Sequence, residues 1–266
     1  MRLWPALGAC LAVVAGLAAA APTRIATVDL TKPSATRWPW AFTADQGPHV
    51  PDPTGMPSDM VPGVITLCLR DAKGACAPEL KQQVRSVEFA GDLFTDPHFL
   101  LMDEVVGVEQ GRPLFIVQTG SVLSGDGDQV VLTQVFAYRP ASDRFARVYS
   151  YVTGHNNNQD WRYIGAGALA GDIISADPTA NAPFGFWITV SKPGKAGLYA
   201  PALRYRSATR YQDGNPLGVI DSEMTNIEFH LGLWKPGAPP VLPAKTCAKP
   251  HLVKMELWCG PAVAGV

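Results

Sequence analysis

The sequence lacks a charge imbalance and the common catalytic signatures. It holds 22 Lys and Arg against 23 Asp and Glu, for a net charge of −1. Proteins that bind nucleic acid usually carry a basic excess, so this balance gives no electrostatic case for a nucleic-acid partner. The sequence contains no G-x-S-x-G, no H-E-x-x-H, no P-loop and no dinucleotide fingerprint. No enzyme class is therefore indicated by a motif.

Metal-binding patterns are also missing. The five histidines are scattered, and the cysteines lack the C-x₂₋₄-C spacing of zinc sites. Residues 125–128, Gly-Asp-Gly-Asp, resemble part of a calcium loop. They lack the alternating ligands over twelve residues and the closing Glu, so they predict a hairpin turn instead. We expect no metal and no cofactor.

The sequence has one long apolar run, and it lies at the start. Residues 3–17 are uncharged, follow Met1-Arg2 and lead into three alanines. This pattern predicts a secretory signal peptide over residues 1–20, with cleavage between Ala20 and Ala21. A spanning helix would need about 20 apolar residues, and a lipidated Cys10 would need a longer apolar core before it. We therefore expect a periplasmic or secreted protein with no transmembrane segment after cleavage.

Cysteine is scarce, and its number is informative. Loss of Cys10 with the signal leaves Cys68, Cys76, Cys247 and Cys259. An even number in an oxidising compartment indicates disulfides, and four cysteines allow three pairings. Proximity in the sequence favours Cys68–Cys76 and Cys247–Cys259, each worth about 2–3 kcal/mol as a short closed loop.

Proline and glycine are abundant, and long helical patterns are rare. Prolines run through residues 21–63, which predicts an extended arm that contains no long helix and no central strand and is anchored by Trp38, Trp40 and Phe42. Residues 64–266 are predicted to form a single domain with a disulfide-tied, Pro-rich C-terminal tail. The only helix that we predict there is short, over residues 78–86.

The domain itself is predicted to be mainly β. Segments rich in β-branched and aromatic residues recur between Gly, Pro, Asn and Asp, and consecutive short turns imply antiparallel neighbours. The pattern predicts a meander that forms a barrel-like or sandwich domain. The predicted strands are residues 64–70, 99–109, 114–122, 130–138, 145–152, 161–164, 173–176, 184–190, 198–211 and 219–224.

The most distinctive polar pattern lies near residue 205. Side chains alternate faces along a strand, so Arg204, Arg206 and Arg210 should share one face, opposite Tyr205 and Tyr211. Neighbouring positions on this face, such as Arg204 and Arg206, would be about 7 Å apart. Such a row fits a carboxylated sugar, a phosphate or an acidic protein surface.

A second interpretation neutralises these arginines within the sheet. If residues 219–224 return as an antiparallel strand with Tyr211 opposite Gly218, then Arg206 faces Glu223 and Asp221 lies on the same face. A shift of one residue would send both acids to the opposite face. The same two carboxylates, about 7 Å apart on a strand, also suggest the acid and base of a glycoside hydrolase.

The polar loop at residues 154–160 is a further candidate. Asn157 and Asn158, followed by Trp161, suit a sugar through amide hydrogen bonds and ring stacking, although asparagines also favour plain turns. Our leading hypothesis is an exported, non-enzymatic binding or cell-envelope accessory protein. It would recognise an anionic saccharide or an envelope protein through Arg204, Arg206, Arg210, Asn157, Asn158 and Trp161. The alternative is a carbohydrate-active hydrolase that uses Asp221 and Glu223.

Overall fold

A computed structural model describes most of the chain after residue 20. The described residues are 21–53, 55, 58–77, 80, 84–85, 93–94, 96–123, 129–153, 160–179, 185–207, 215–242 and 247–260. The predicted signal peptide, residues 1–20, and the turn at residues 125–128 lie outside them.

Short strands dominate these residues, with one α-helix near the C-terminus. The strands are Thr23–Asp29 (β1), Ala41–Gln46 (β2), Val50–Pro51 (β3), Met60–Val61 (β4), Ile65–Arg70 (β5), Val84–Arg85 (β6), Leu93–Phe94 (β7), Phe99–Val106 (β8), Leu114–Gly120 (β9), Val131–Arg139 (β10), Arg144–Thr153 (β11), Asp160–Tyr163 (β12), Ile173–Pro178 (β13), Phe186–Pro193 (β14), Tyr199–Ser207 (β15), His251–Val253 (β16) and Glu256–Trp258 (β17). A 3₁₀ turn covers Gly167–Leu169, and the α-helix is Val219–His230 (α1).

Three antiparallel sheets form the body of the molecule. The first sheet has the order β1-β2-β5, the second β11-β10-β9-β8 and the third β12-β13-β14-β15. The second and third are meanders in which each strand pairs with its neighbour in sequence. The predicted mainly-β, antiparallel fold is confirmed; these sheets do not close on themselves, which is consistent with a sandwich-like domain.

Three apolar layers hold the sheets and the helix together. Phe42 of the first sheet packs against Phe115 of the second, with ring centroids 4.8 Å apart. The opposite face of β9 carries Leu114 and Ile116, which pack with Ile173 of the third sheet. The other face of the third sheet packs on α1 through a cluster that includes Ile188, Val190, Ile220 and Ile227. Alternation along β9 and β13 thus lets each strand serve two cores.

The Pro-rich segment is more regular than its composition suggests. The expectation of no central strand within residues 21–63 is wrong, because β2 lies between β1 and β5. The sequences of β1 and β2 contain no proline, and Pro33 and Pro39 lie in the connection between them. The prolines therefore lie between the strands of this region, and strands still form in the proline-free segments. The predicted strand at residues 64–70 is confirmed as β5.

Residues 219–224 are helical, so their prediction as a strand is wrong. The buried positions Ile220, Glu223 and Ile227 follow the spacing of one helical face. Glu223 lies in the middle of that face, and a charged residue among apolar ones breaks the hydrophobic periodicity by which a helix is predicted from sequence. The N-cap residue, Gly218, has no side chain to cap the helix. Asp160 of β12 supplies the acceptor instead, since its Oδ2 lies 3.3 Å from the Ile220 amide nitrogen.

The predicted helix at residues 78–86 meets the described residues at few positions. Val84 and Arg85 form strand β6, so the helix is wrong there. Its remaining residues, apart from Leu80, lie outside the described part of the chain. At the C-terminus the tail forms the hairpin β16–β17, which packs beside α1. Asn215 ties this hairpin down by donating from Nδ2 to the Leu257 carbonyl oxygen, 2.9 Å away.

Candidate functional site

The predicted arginine face lies on β15, the edge strand of the third sheet. Arg204 and Arg206 are exposed, whereas Tyr205 is partly buried and Ser207 is buried. The alternation expected from the sequence is therefore present between residues 203 and 207. Arg210, the third predicted member of the row, lies outside the described residues.

An exposed indole stands beside Arg204 on the neighbouring strand. Trp187 pairs with Arg206, and Thr189 with Arg204, across β14 and β15. The Arg204 guanidinium carbon lies 4.8 Å from the centroid of the Trp187 ring, a cation–π contact. Trp187 keeps 37% of its surface exposed. We call Trp187, Arg204 and Arg206 the arginine–tryptophan face.

The two arginines differ in their other contacts. Arg206 donates from Nη2 to the Thr179 hydroxyl at 3.4 Å. Arg204 makes no ion pair with a carboxylate among the residues that the structure describes. When a guanidinium stacks on an indole, one of its faces is held by the ring, and its N–H groups, which lie in the guanidinium plane, stay available for hydrogen bonds. The arrangement suits recognition of an oxyanion next to an aromatic surface.

The predicted ladder between Arg206 and Glu223 does not form. Glu223 lies on α1, has no exposed surface, and packs beneath the inner face of β15. Its carboxylate accepts hydrogen bonds from the Tyr205 hydroxyl at 2.5 Å, the Ser207 hydroxyl at 2.5 Å and the Asn226 amide at 2.9 Å. The acid thus belongs to the core side of the strand, opposite the arginines.

Asp221 takes part in a different cluster at the start of α1. Its Oδ1 lies 2.5 Å from Nη1 of Arg162, and Nη2 of the same arginine lies 3.5 Å from Oδ2 of Asp160. Burial raises the pKa of Asp160, and the Asp221 charge adds to the rise, while Arg162 and the Ile220 amide oppose it. Positions i and i+2 of a helix point about 200° apart. Asp221 and Glu223 therefore do not share a face, contrary to the strand prediction.

The Asn-rich loop is only partly described. Asn157 and Asn158 lie outside the described residues. Trp161 is half-buried and packs against the core between the second and third sheets, with its ring 6.4 Å from that of Tyr149. Its role in ligand binding stays a prediction.

Both predicted cysteine pairs are at disulfide distance. The Cα atoms of Cys68 and Cys76 are 5.1 Å apart, and those of Cys247 and Cys259 are 5.6 Å apart. Within the described ranges, no group of three or more His, Cys, Asp or Glu is placed to hold a metal ion. Over the same residues, no helix has the length and apolar character needed to cross a bilayer.

A second group of cations was not found from the sequence. Arg112, Arg139 and Lys195 line one cleft beside the β14–β15 turn. They come from two turns and one strand end that are distant in sequence, so no spacing or periodicity links them. Only the stacking of the second and third sheets brings them together.

The chain was compared with protein families, curated proteins and solved structures. No protein family, no curated protein and no solved structure matches this chain.

Proposed function

We propose that this is an exported, non-enzymatic binding or cell-envelope accessory protein that recognises an anionic polymer. The observation that carries the proposal is the arginine–tryptophan face, in which an exposed guanidinium lies 4.8 Å above an exposed indole. Arg206, two residues further along β15, extends the same cationic surface. Guanidinium groups form charge-assisted hydrogen bonds with carboxylate, sulfate and phosphate oxygens.

Between the two partner classes, an anionic saccharide is favoured over a protein surface. Trp187 offers an amphipathic ring beside the charges, and such a ring can pack against the C–H face of a sugar. The surface is a sheet face at an edge strand and not a closed cleft, which suits a long chain that lies across it. Asn157, Asn158 and Arg210 lie outside the described residues, and their part in binding stays a prediction.

The hydrolase alternative has no specific observation in its favour. Asp221 is paired with Arg162, and Glu223 accepts hydrogen bonds from Tyr205, Ser207 and Asn226 within the core. A carboxylate pair for glycoside cleavage needs both groups to flank one scissile bond. These two carboxylates point to different parts of the protein.

Export is part of the same proposal. It is supported by the residue pattern of positions 1–20 and by the two cysteine pairs, since disulfides persist in oxidising compartments. Intact-mass analysis of protein from the extracytoplasmic fraction should give a mature chain that starts at Ala21. A retained leader or a lipid on Cys10 would contradict this.

Binding is tested with mature protein and two polymers of matched length. Dextran sulfate should bind with an affinity that falls as NaCl is raised, because salt screens exposed charges. Neutral dextran should not bind under the same conditions. Equal binding to the two polymers, or none to dextran sulfate at low salt, would overturn the proposal.

A further inference from the structure

A cleft beside the β14–β15 turn is lined by residues other than those of the arginine–tryptophan face. It has a volume of about 660 Å³, within the range of small-molecule sites. Arg112, Arg139 and Lys195 line it, and no carboxylate does. Its remaining wall includes Pro113 and Tyr199, which offer apolar surface.

The arginine in the cleft wall is held in place by the neighbouring hairpin. Arg139 donates from Nη2 to the Ala196 carbonyl oxygen at 2.8 Å. Gly197 has a φ of +71°, and a Cβ there would lie 3.0 Å from Nη1 of Arg139. Glycine thus permits the close approach of the turn to the guanidinium. Arg139 is therefore fixed at the cleft before any ligand enters.

Arg112 and Lys195 are more accessible. Both are exposed, and neither forms an ion pair within the part of the chain that the structure describes. Arg112 lies near enough to Tyr163 and Tyr199 to oppose the rise in the pKa of each phenol, a rise caused first by burial. Three cations thus converge on one space with no acidic side chain in its wall.

The phenols in the cleft are already committed to the protein. The Tyr199 hydroxyl donates to the Gly171 carbonyl oxygen at 2.7 Å, and the Tyr138 hydroxyl donates to Asp143 at 2.6 Å. To a ligand, these two tyrosines therefore offer the surface of their rings and not a hydroxyl donor.

We propose that this cleft binds a sugar-sized organic oxyanion, with the acidic group between Arg112, Arg139 and Lys195 and the body of the ligand against Tyr199 and Pro113. A guanidinium or ammonium group accepts carboxylate, sulfate and phosphate alike, so the shared feature is the oxyanion. The proposal does not depend on polymer binding at β15.

Calorimetric titration of the mature protein tests it with four probes: glucuronate, glucose 6-sulfate, glucose 6-phosphate and glucose. At least one of the three anions should bind with a dissociation constant below about 1 mM, and glucose should not. The anion with the lowest dissociation constant identifies the acidic group that the cleft prefers in its ligand. If none of the anions binds, or if glucose binds as well as they do, the proposal is wrong.

Variants locate the binding. Arg112→Gln/Lys195→Gln should weaken anion binding roughly tenfold or more, whereas Lys73→Gln/Lys235→Gln, a matched pair of exposed cations elsewhere, should not. Unchanged binding in the Arg112→Gln/Lys195→Gln variant would overturn the proposal. Arg204→Gln/Arg206→Gln should leave this binding intact, which separates this test from that of the proposed function.

Discussion

The Tyr205 hydroxyl lies 2.5 Å from Oε2 of Glu223, and this hydrogen bond joins the edge strand β15 to helix α1. Burial raises the pKa of the Tyr205 phenol, and the Glu223 carboxylate raises it further. The phenol therefore remains an O–H donor to the carboxylate. Because Glu223 has no exposed surface, donors such as Tyr205, Ser207 and Asn226 are needed to offset the cost of burying its carboxylate.

Removing the phenol hydroxyl should destabilise the protein. Tyr205→Phe leaves a buried carboxylate with one donor fewer, and we expect a loss of about 1–3 kcal/mol in the free energy of unfolding. Glu223→Ala should cost more, about 3–5 kcal/mol, because it also leaves a cavity and unpaired donors. Urea denaturation measures both. A Tyr205→Phe protein as stable as wild type would show that the hydrogen bond contributes nothing.

The cluster at the start of α1 should make stability depend on pH. Arg162→Gln leaves Asp160 and Asp221 without their shared cation, which removes a factor that holds the pKa of Asp160 down. We expect a loss near pH 7 of about 1 kcal/mol, a modest value because the Arg162 side chain is 37% exposed and solvent screens it.

The sign of the pH effect follows from the raised pKa of Asp160. A carboxyl whose pKa is higher in the folded state than in the unfolded state binds its proton more readily when folded. The deficit of Arg162→Gln should therefore be largest above that pKa and shrink as the pH falls through it. Thermal unfolding between pH 7 and pH 4 tests this. Lys73→Gln, which removes an exposed cation that forms no ion pair among the described residues, is the control and should show no comparable loss. A deficit that grows on acidification would contradict the account.

The strands of the second and third sheets could be predicted because their signals are local. Alternation and turn residues mark β9 to β15, and the cysteine pairs follow from proximity in sequence. Helix α1 could not be predicted, since the residues that satisfy Glu223 lie on β15 and in the helix itself. A charged residue at a core position argues against a buried helix face until the tertiary partners of that charge are known.

The candidate sites also have features that the local sequence predicts and features that it does not. Arg204 and Arg206 could be placed on one exposed face from alternation alone, but their neighbour Trp187 comes from the next strand, through a register that the sequence does not specify. The cleft of Arg112, Arg139 and Lys195 depends entirely on how two sheets stack. Local patterns therefore identify faces, and only packing identifies clefts.

The C-terminal disulfide should stabilise the protein without affecting polymer binding. Cys247 and Cys259 close a loop that holds the β16–β17 hairpin beside α1. Cys247→Ala/Cys259→Ala should lower the free energy of unfolding by about 2–3 kcal/mol, measured by urea denaturation. Affinity for dextran sulfate should not change at a temperature where the variant is folded. An unaltered unfolding curve would show that the hairpin is held by packing alone.

The arginine–tryptophan face is proposed to bind an anionic polymer. The most direct measurement is the affinity of Arg204→Gln/Arg206→Gln for dextran sulfate over a series of NaCl concentrations, with Lys73→Gln/Lys235→Gln as the matched control. The variant should bind much more weakly and with a smaller salt dependence, because charge-assisted contacts are lost. Its melting temperature should stay within about 2–4 °C of wild type, since exposed charges contribute little to stability. Wild-type affinity, or a variant that melts far lower while it still binds, would contradict the claim and make these arginines structural.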